Sequence, residues 1–289
     1  MTSYVLMTAA RNAERTLEKT IQSVISQTIR PLCWVIVSDG SNDRTDEIVR
    51  KYAAEHDWIR FIRREKPDEE LRRVERAAPG KSAALTEAYA ACADLSFDYV
   101  ANLDADITCP PDYYERVMAV LDADETIGIA GGAVRNILPD GQPAPGGFYK
   151  PDFVAGAVQM FRRACYEGIG GYKPYGHEDC VAALEAKAQG WTVKNILDLV
   201  VDHHPPREGY ATDLRSKLPT CYYLGNMHYI MREPWWREIP RCIKRCFARP
   251  WILGGCAMGA GYLAAALQRE TRIPVPKRPP RKSVASKND

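Results

Sequence analysis

The sequence lacks the cysteine patterns and the leader segment that mark disulfide-rich, zinc-binding or secreted proteins. Its nine cysteines are scattered over 289 residues, and the closest pair, Cys242 and Cys246, lacks the companion ligands of a metal site. We therefore expect reduced thiols in a cytoplasmic protein without zinc. The chain enters the apolar run SYVLMTAA with no charged leader and apolar segment before it, so its start does not resemble a secretory signal.

Long apolar runs are also scarce. Residues 251–267, WILGGCAMGAGYLAAAL, carry no charge, but seventeen residues lie at the lower limit for a membrane span, and four of them are glycine. From the sequence alone, a membrane span, an interfacial helix and a buried helix all remain open for this segment.

The chain has little net charge, +2 at pH 7, but the charge is unevenly distributed. Residues 231–289 hold 13 Lys and Arg against 4 Asp and Glu, so this end carries +9 and the remainder −7. The cations flank the uncharged run and continue into a Pro-rich, basic tail at 271–289, which we expect to be disordered. Such an asymmetry indicates an anionic partner, either nucleic acid or a membrane surface, and of the two we predict an anionic membrane surface, on the inner face of the cell membrane, and no nucleic acid.

Strand and helix patterns alternate through the first hundred residues. The apolar runs SYVLMTAA, LCWVIVSD, WIRFIRR and FDYVANL are separated by segments with helical periodicity, and residues 64–80 form a charged loop. Continuous apolar strands separated by amphipathic helices predict an α/β fold with a mainly parallel central sheet flanked by helices.

Polar and small residues follow these strands, where the carboxyl ends of a parallel sheet bind ligands. Asp39 can bind a uracil or ribose edge, Gly40 lets the backbone approach it, and Lys81 can meet a phosphate. Asp104 and Asp106, one residue apart, can hold Mn²⁺ or Mg²⁺, although acids at this spacing can also be turn and cap residues. The predicted donor-binding residues are Thr8, Ala10, Asn12, Asp39, Gly40, Lys81, Asp104 and Ala105.

Four segments together carry a family resemblance. TAARNAERTLEKTIQSVISQT, VIVSDGSNDRTDEI, GKSAALTEAYA and ANLDADI, in this order and spacing, resemble the nucleotide-sugar half of the inverting family 2 glycosyltransferases with a GT-A fold. The resemblance covers residues 3–205, and Ser38 stands where the family more often has an acid. It implies metal-dependent, inverting transfer of a sugar from a nucleoside diphosphate donor to a glycan or polyprenyl-linked acceptor.

Two acids and two histidines complete the candidate site in the second half of the chain. Glu178 and Asp179 begin a helix whose apolar stripe we predict to include Leu184, and their position alone is also that of capping residues. The resemblance assigns Asp179 as general base and suggests that Glu178 binds an acceptor or sugar hydroxyl. His203 or His204 is predicted to contact the metal or the diphosphate, and a structural hydrogen bond is the alternative.

These patterns divide the chain into three parts. Residues 1–230 are predicted to form the GT-A catalytic domain, with a nucleotide-sugar half at 1–108 and an acceptor and catalytic half at 109–230. Residues 231–270 form a helical, apolar and basic extension, and 271–289 the tail. A sugar-1-phosphate nucleotidyltransferase is the alternative enzyme, but TAARNAERT lacks its glycine-rich loop. A non-catalytic nucleotide-sugar-binding protein would not need both the metal acids and the base acid.

Overall fold

An eight-stranded mixed sheet forms the centre of the protein in a computed structural model that describes residues 2–65, 79–144, 150–173, 177–205, 214–270 and 272. The order across the sheet is β3-β2-β1-β4-β7-β6-β8-β5. The strands are β1 Tyr4–Ala10, β2 Cys33–Asp39, β3 Ile59–Arg64, β4 Tyr99–Asn102, β5 Ile107–Thr108, β6 Ile127–Asn136, β7 Met160–Arg162 and β8 Thr192–His203.

The first four strands form the predicted parallel half of the sheet. β1 lies between β2 and β4, so that Met7 is opposite Val35 on one side and Asn102 on the other. Every residue of β2 is buried, which explains its unbroken apolar run. Helices α1 Leu17–Ile25, α2 Thr45–Glu55 and α3 Pro79–Ala90 connect these strands and pack beside them. The prediction of an α/β sheet flanked by helices is confirmed.

The other half of the sheet mixes strand directions. β7 lies antiparallel between β4 and β6, β6 and β8 are parallel, and β5 is antiparallel to β8. β5 and β7 have only two and three residues, too few for a periodic pattern to predict. Helices α4 Tyr113–Ala123, α5 Arg163–Ile169 and α6 Glu178–Ala188 accompany this half.

A continuous apolar core joins the two halves. Its largest fully buried side chains include Trp34 and the stacked pair Tyr4 and Tyr114, whose ring centres are 4.7 Å apart. The Trp34 indole donates a hydrogen bond to the Thr8 hydroxyl, which donates in turn to the carbonyl of Leu103. Burial of this core below the strand ends gives the candidate site a rigid floor.

Some local features differ from their prediction because tertiary contacts override the sequence pattern. Leu184 is exposed on α6, because this helix turns the small side chains of Ala182, Ala183 and Ala186 inward. The predicted charged loop and basic tail lie mostly outside the described residues.

Three further helices follow the sheet: α7 Leu214–Ile230, α8 Trp235–Arg245 and α9 Ile252–Leu267. α9 packs against both others. It approaches α7 so closely that a Cβ on Gly225 would overlap the carbonyl oxygen of Met258, and one on Gly261 would overlap that of Tyr222. Within the described part of the chain, no helix combines the length and the apolar character needed to cross a membrane.

Candidate active site

A cavity of about 430 Å³ opens at the carboxyl ends of β1, β2 and β4. This is the edge where a parallel sheet binds ligands, and most of the predicted donor-binding residues meet there. The lining residues are Ala9, Ala10, Arg11, Asn12, Ala13, Arg15, Thr16, Asp39, Gly80, Lys81, Asp104, Ala105, Asp106 and His204.

Hydrogen bonds between two loops shape one wall of this cavity. Asn12 adopts a left-handed conformation, with φ of 50°, and its Oδ1 accepts from the backbone N–H of Asn42 at 3.0 Å. Its own N–H donates to the Ser41 hydroxyl at 3.2 Å, and the Ser38 hydroxyl donates to Ser41 at 2.9 Å. Ser38 is therefore buried and supports the loop. This role does not require the acid that the family more often has at this position.

Asp39 faces the cavity from the end of β2 and is held by Arg64 from the end of β3. The distance from Arg64 Nη1 to Asp39 Oδ1 is 2.6 Å, and Arg64 Nε lies 3.1 Å from Glu87 of α3. Gly40 follows with φ of 69°, a conformation that favours glycine, and its N–H donates to the carbonyl of Arg64. The sequence analysis did not identify Arg64. The available signal was a cation at the end of β3, the parallel strand next to the one that ends in Asp39.

Lys81 joins the first half of the chain to the second. Its Nζ lies 2.7 Å from Asp104 Oδ1 and 3.4 Å from Glu178 Oε1, so one ammonium group bridges the end of β4 and the start of α6. Burial alone would lower the pKa of Lys81, but the nearby carboxylates of Asp104 and Glu178 outweigh burial and raise it. The lysine stays charged, and it balances acids that would otherwise repel one another.

Asp179 is connected to the end of β4 through hydrogen bonds of the Gly156 backbone. Asn102 Nδ2 donates to the carbonyl of Gly156 and, at 3.3 Å, to Asp104 Oδ1. The N–H of Gly156 donates to Asp179 Oδ2 at 3.0 Å, while Asp179 Oδ1 accepts from the N–H of Cys180. A Cβ on Gly156 would lie 2.7 Å from the Cβ of Asp179, so only glycine fits.

Gln159 supports this arrangement from beneath. It is fully buried, and its Nε2 donates to the carbonyls of Val154 and Asp179, while its Oε1 accepts from the Tyr172 hydroxyl. The sequence analysis missed Asn102, Gly156 and Gln159. A signal existed for Asn102 and Gln159, because an amide inside an apolar run must find buried hydrogen-bond partners.

The two acids of the Asp-x-Asp motif have different partners. Asp104 contacts Lys81, whereas Asp106 Oδ2 lies 3.2 Å from His203 Nε2. The other ring nitrogen of His203 is 2.7 Å from Asn136 Oδ1. His204 lines the cavity, its Nε2 lies 2.9 Å from the Thr108 hydroxyl, and burial lowers its pKa, so the ring is neutral. Across the described ranges, no group of three or more His, Cys, Asp or Glu side chains could hold a metal ion by itself.

One predicted donor contact needs correction. Thr8 has no exposed surface, and its hydroxyl is already bonded to Trp34 and Leu103. It therefore supports the floor of the cavity from below and cannot touch a ligand directly. The reason is its place in β1, since Thr8 lies two residues before the end of the strand, whereas Ala9 and Ala10 at the end line the cavity.

The model of the family described as glycosyl transferase family 2 matches residues 5–169, more than half of the chain. The chain belongs to glycosyl transferase family 2. The predicted family and enzyme class are thereby confirmed, and all residues that line the cavity except His204 lie in the matched region of this glycosyltransferase.

Relatives with known names match parts of this glycosyltransferase. The β-monoglucosyldiacylglycerol synthase of Synechocystis sp. is 31% identical over 212 residues, which are 69% of this chain and 40% of that enzyme. The chondroitin synthase of Pasteurella multocida is 26% identical over 144 residues, 50% of this chain and 13% of that enzyme. The chain thus spans less than half the length of either relative.

Solved structures place this glycosyltransferase in the GT-A fold. A mannosyltransferase from Pyrobaculum calidifontis, solved with GDP-Man and Mn²⁺, has a TM-score of 0.58 at 19% identity, over 91% of this chain and 75% of its own. GalNAc-T7, solved with UDP, GalNAc and Mn²⁺, has a TM-score of 0.60 at 16% identity, over 85% of this chain and 51% of its own. The predicted fold is confirmed.

Proposed function

We propose that this glycosyltransferase moves a sugar from a nucleoside diphosphate donor to a hydroxyl group of a glycan or lipid-linked acceptor, with inversion and with the help of a divalent cation. The observation that carries the proposal is the continuous set of contacts from the Asp-x-Asp motif to Asp179, through Asn102 and the Gly156 backbone. A nucleotide-binding sheet has no need to hold a carboxylate of a second segment at this edge. A transferase needs one there, beside the reacting carbon.

The donor occupies the cavity with its nucleoside end at Asp39. The carboxylate of Asp39, oriented by Arg64, accepts hydrogen bonds from the base or the ribose, as a carboxylate in this position can. Arg11 and Arg15 add positive charge to the cavity wall for the diphosphate. Two of the structural neighbours were solved with GDP-Man or UDP, which supports a nucleoside diphosphate donor without naming the base.

The chemistry of Asp106 and His203 fits a divalent cation. His203 Nε2 lies 3.2 Å from Asp106 Oδ2, and His203 Nδ1 lies 2.7 Å from Asn136 Oδ1. In the tautomer in which Nδ1 carries the proton, Nε2 and the Asp106 carboxylate could together hold a cation, and mixed nitrogen and oxygen ligands suit Mn²⁺, with Mg²⁺ as the alternative. An ion held there would neutralise negative charge that develops on the diphosphate.

Asp179 acts as the general base. As the acceptor oxygen bonds to the anomeric carbon, the bond from that carbon to the diphosphate oxygen breaks, and its electron pair leaves with the diphosphate. The proton of the acceptor hydroxyl passes to the carboxylate of Asp179, which the N–H groups of Gly156 and Cys180 keep oriented. Glu178 holds Lys81 and so positions the ammonium group between the donor side and the acceptor side.

The test is donor binding and sugar transfer by purified full-length protein, with nucleotide sugars screened by thermal shift in Mn²⁺. Asp179→Asn should lower transfer by about 10²-fold or more while donor affinity stays within a few-fold. Asp106→Ala should instead lose the Mn²⁺-dependent part of donor affinity. Asp198→Asn, whose side chain is 79% exposed, is the matched control and should change neither.

Two outcomes would contradict the proposal. Near-normal transfer by Asp179→Asn would exclude this residue as the base and make Glu178 the next candidate. Tight binding of a nucleotide sugar without any turnover, even with acceptor mixtures, would favour a non-catalytic nucleotide-sugar-binding protein.

A further inference from the structure

Helix α8 exposes apolar side chains and buries a charged one, the reverse of an ordinary surface helix. Its apolar side chains face outward: Trp236, Ile239 and Ile243 are 61%, 51% and 56% exposed, and Phe247, just beyond the helix, is 78% exposed. Glu238 of the same helix is only 3% exposed. A helix against water normally turns its apolar stripe to the core, so the outer side of α8 is suited to a non-aqueous neighbour.

Polar contacts on the inner side fix this orientation. Glu238 Oε2 lies 2.7 Å from His228 Nδ1 of α7, and Arg241 Nη2 lies 3.2 Å from Glu233 Oε2. The Tyr262 hydroxyl of α9 donates to the carbonyl of Glu233. Rotating α8 to bury its apolar residues would separate these groups and leave charges without partners, which is costly. The polar contacts on the inner side therefore keep the apolar side of α8 exposed.

The exposed apolar surface continues from α8 onto the start of α9. We define the outer face by its large side chains, which are all more than half exposed: Trp235, Trp236, Ile239, Ile243, Phe247, Trp251, Ile252 and Leu253. Elsewhere, the large exposed hydrophobic residues of the described sheet region are scattered singly, such as Leu32 and Leu197. Scattered residues are normal on a soluble surface, whereas a contiguous group marks an interaction site.

Charge at the rim of the outer face indicates the kind of partner. Arg237, Lys244 and Arg249 are exposed there, and the only acid between residues 234 and 251 is the buried Glu238. Tryptophan side chains and cations around an apolar face are typical of protein segments in the headgroup layer of a bilayer. A symmetric contact between two copies would bring these cations against one another, which opposes self-association.

We propose that the outer face docks on the surface of a bilayer that contains anionic lipid. α8 and the first turn of α9 lie in the interface, the apolar side chains enter the boundary between headgroups and acyl chains, and the three cations contact lipid phosphates. The attachment is peripheral. The interaction involves no residue of the candidate active site, so it can be tested independently of sugar transfer.

The experiment is co-sedimentation of the full-length protein with vesicles of phosphatidylcholine, with and without phosphatidylglycerol, over a range of salt concentrations. We expect binding to the anionic vesicles that weakens as salt rises. Ile243→Ser and Phe247→Ser should each weaken binding by about tenfold or more. Leu32→Ser and Leu197→Ser remove exposed apolar side chains of the sheet region and should leave binding unchanged.

The cations give a second, independent series. Arg237→Gln and Lys244→Gln should each weaken binding to anionic vesicles by about fivefold and flatten its salt dependence, without changing thermal unfolding. Brominated lipids should quench tryptophan fluorescence, because three of the six tryptophans lie on the outer face.

Specific results would overturn the proposal. Full-length protein that stays free of anionic vesicles at low salt would exclude a bilayer partner. Equal loss of binding in Leu32→Ser and Phe247→Ser would show that the outer face is not the docking surface. Concentration-dependent self-association that Phe247→Ser abolishes, in protein that ignores vesicles, would make the face an interface between copies of the chain.

Discussion

The sheet region, residues 2–205, and the C-terminal helices α7 to α9 differ in which side chains they bury and which they expose. All seven residues of β2 are buried, and the ion pair between Arg44 and Glu47 at the start of α2 lies at the surface. In α8 the buried residue is Glu238, and the tryptophans are outside. The contrast is the one expected of a chain that meets water around the sheet and, as we propose, a lipid surface at α8.

The two regions nevertheless meet beside the candidate base. The ring of Tyr223 on α7 lies 4.4 Å from that of His177, which immediately precedes α6 and is two residues from Asp179. His177 adopts a left-handed conformation, with φ of 51°. Burial lowers the pKa of His177, so this ring contact involves a neutral imidazole at physiological pH. The C-terminal helices are thus in contact with the segment that leads into Asp179.

The largest expected effect tests the charged interior of the C-terminal helices. Glu238→Ala removes the buried carboxylate that lies 2.7 Å from His228 Nδ1 and 3.7 Å from Arg241 Nη1, and the loss of this pairing should destabilise these helices by about 3–5 kcal/mol. Hydrogen exchange of the α7 to α9 amides measures this effect locally. Glu47→Ala is the control, because its side chain is 66% exposed and an exposed ion pair contributes little to stability. Equal effects of the two substitutions would remove the contrast between the regions.

The next effect compares apolar side chains in the two regions. Leu6→Ala opens a cavity in the fully buried core and should lower the free energy of unfolding by about 2–5 kcal/mol. Phe247→Ala removes a larger side chain, but because that side chain is 78% exposed, the change should stay within about 0.5 kcal/mol. Urea denaturation without lipid measures both. A large loss from Phe247→Ala would mean that the outer face is packed in solution.

The smallest effect concerns an acid of the sheet region that holds loops by hydrogen bonds. Asp43 accepts from the N–H groups of Thr45 and Glu14 at 2.9 and 3.1 Å. Burial alone would raise the pKa of Asp43, but the hydrogen bonds from Thr45 and Glu14 outweigh it and hold the pKa below its ordinary value. A depressed carboxyl pKa stabilises the fold above the ordinary pKa, and this contribution is lost as the pH falls through the folded-state pKa.

Asp43→Ala should therefore cost about 1 kcal/mol at neutral pH and progressively less below about pH 4. Chemical denaturation of both proteins across this pH range measures the difference. A cost that stays constant down to strongly acidic pH would assign it to lost packing and not to the carboxylate.

The sequence pattern points to residues that follow a strand, and it does not reveal residues that support the site from within the protein. Asp39, Asp104 and Asp106 follow apolar runs and line the cavity, together with Lys81 of α3. Thr8 does not line the cavity, because it lies two residues before the end of β1 and its side chain is fully buried. Gly156 could not be found, since its role depends on the close approach of Asp179, 23 residues further along the chain.

The sequence by itself determined the alternation of strands and helices, the residues at the strand ends, the family, and the excess of cations after residue 230, because periodicity and composition are local properties. Only the tertiary structure decided that Asp104 contacts Lys81 while Asp106 contacts His203, and that α8 buries Glu238 and exposes its tryptophans. From the sequence, the two acids of one motif cannot be told apart, and neither can the two sides of one helix, because their surroundings come from distant segments. The contacts of the two acids come from residues 23 and 97 positions away, and the contacts that orient the helix come from α7.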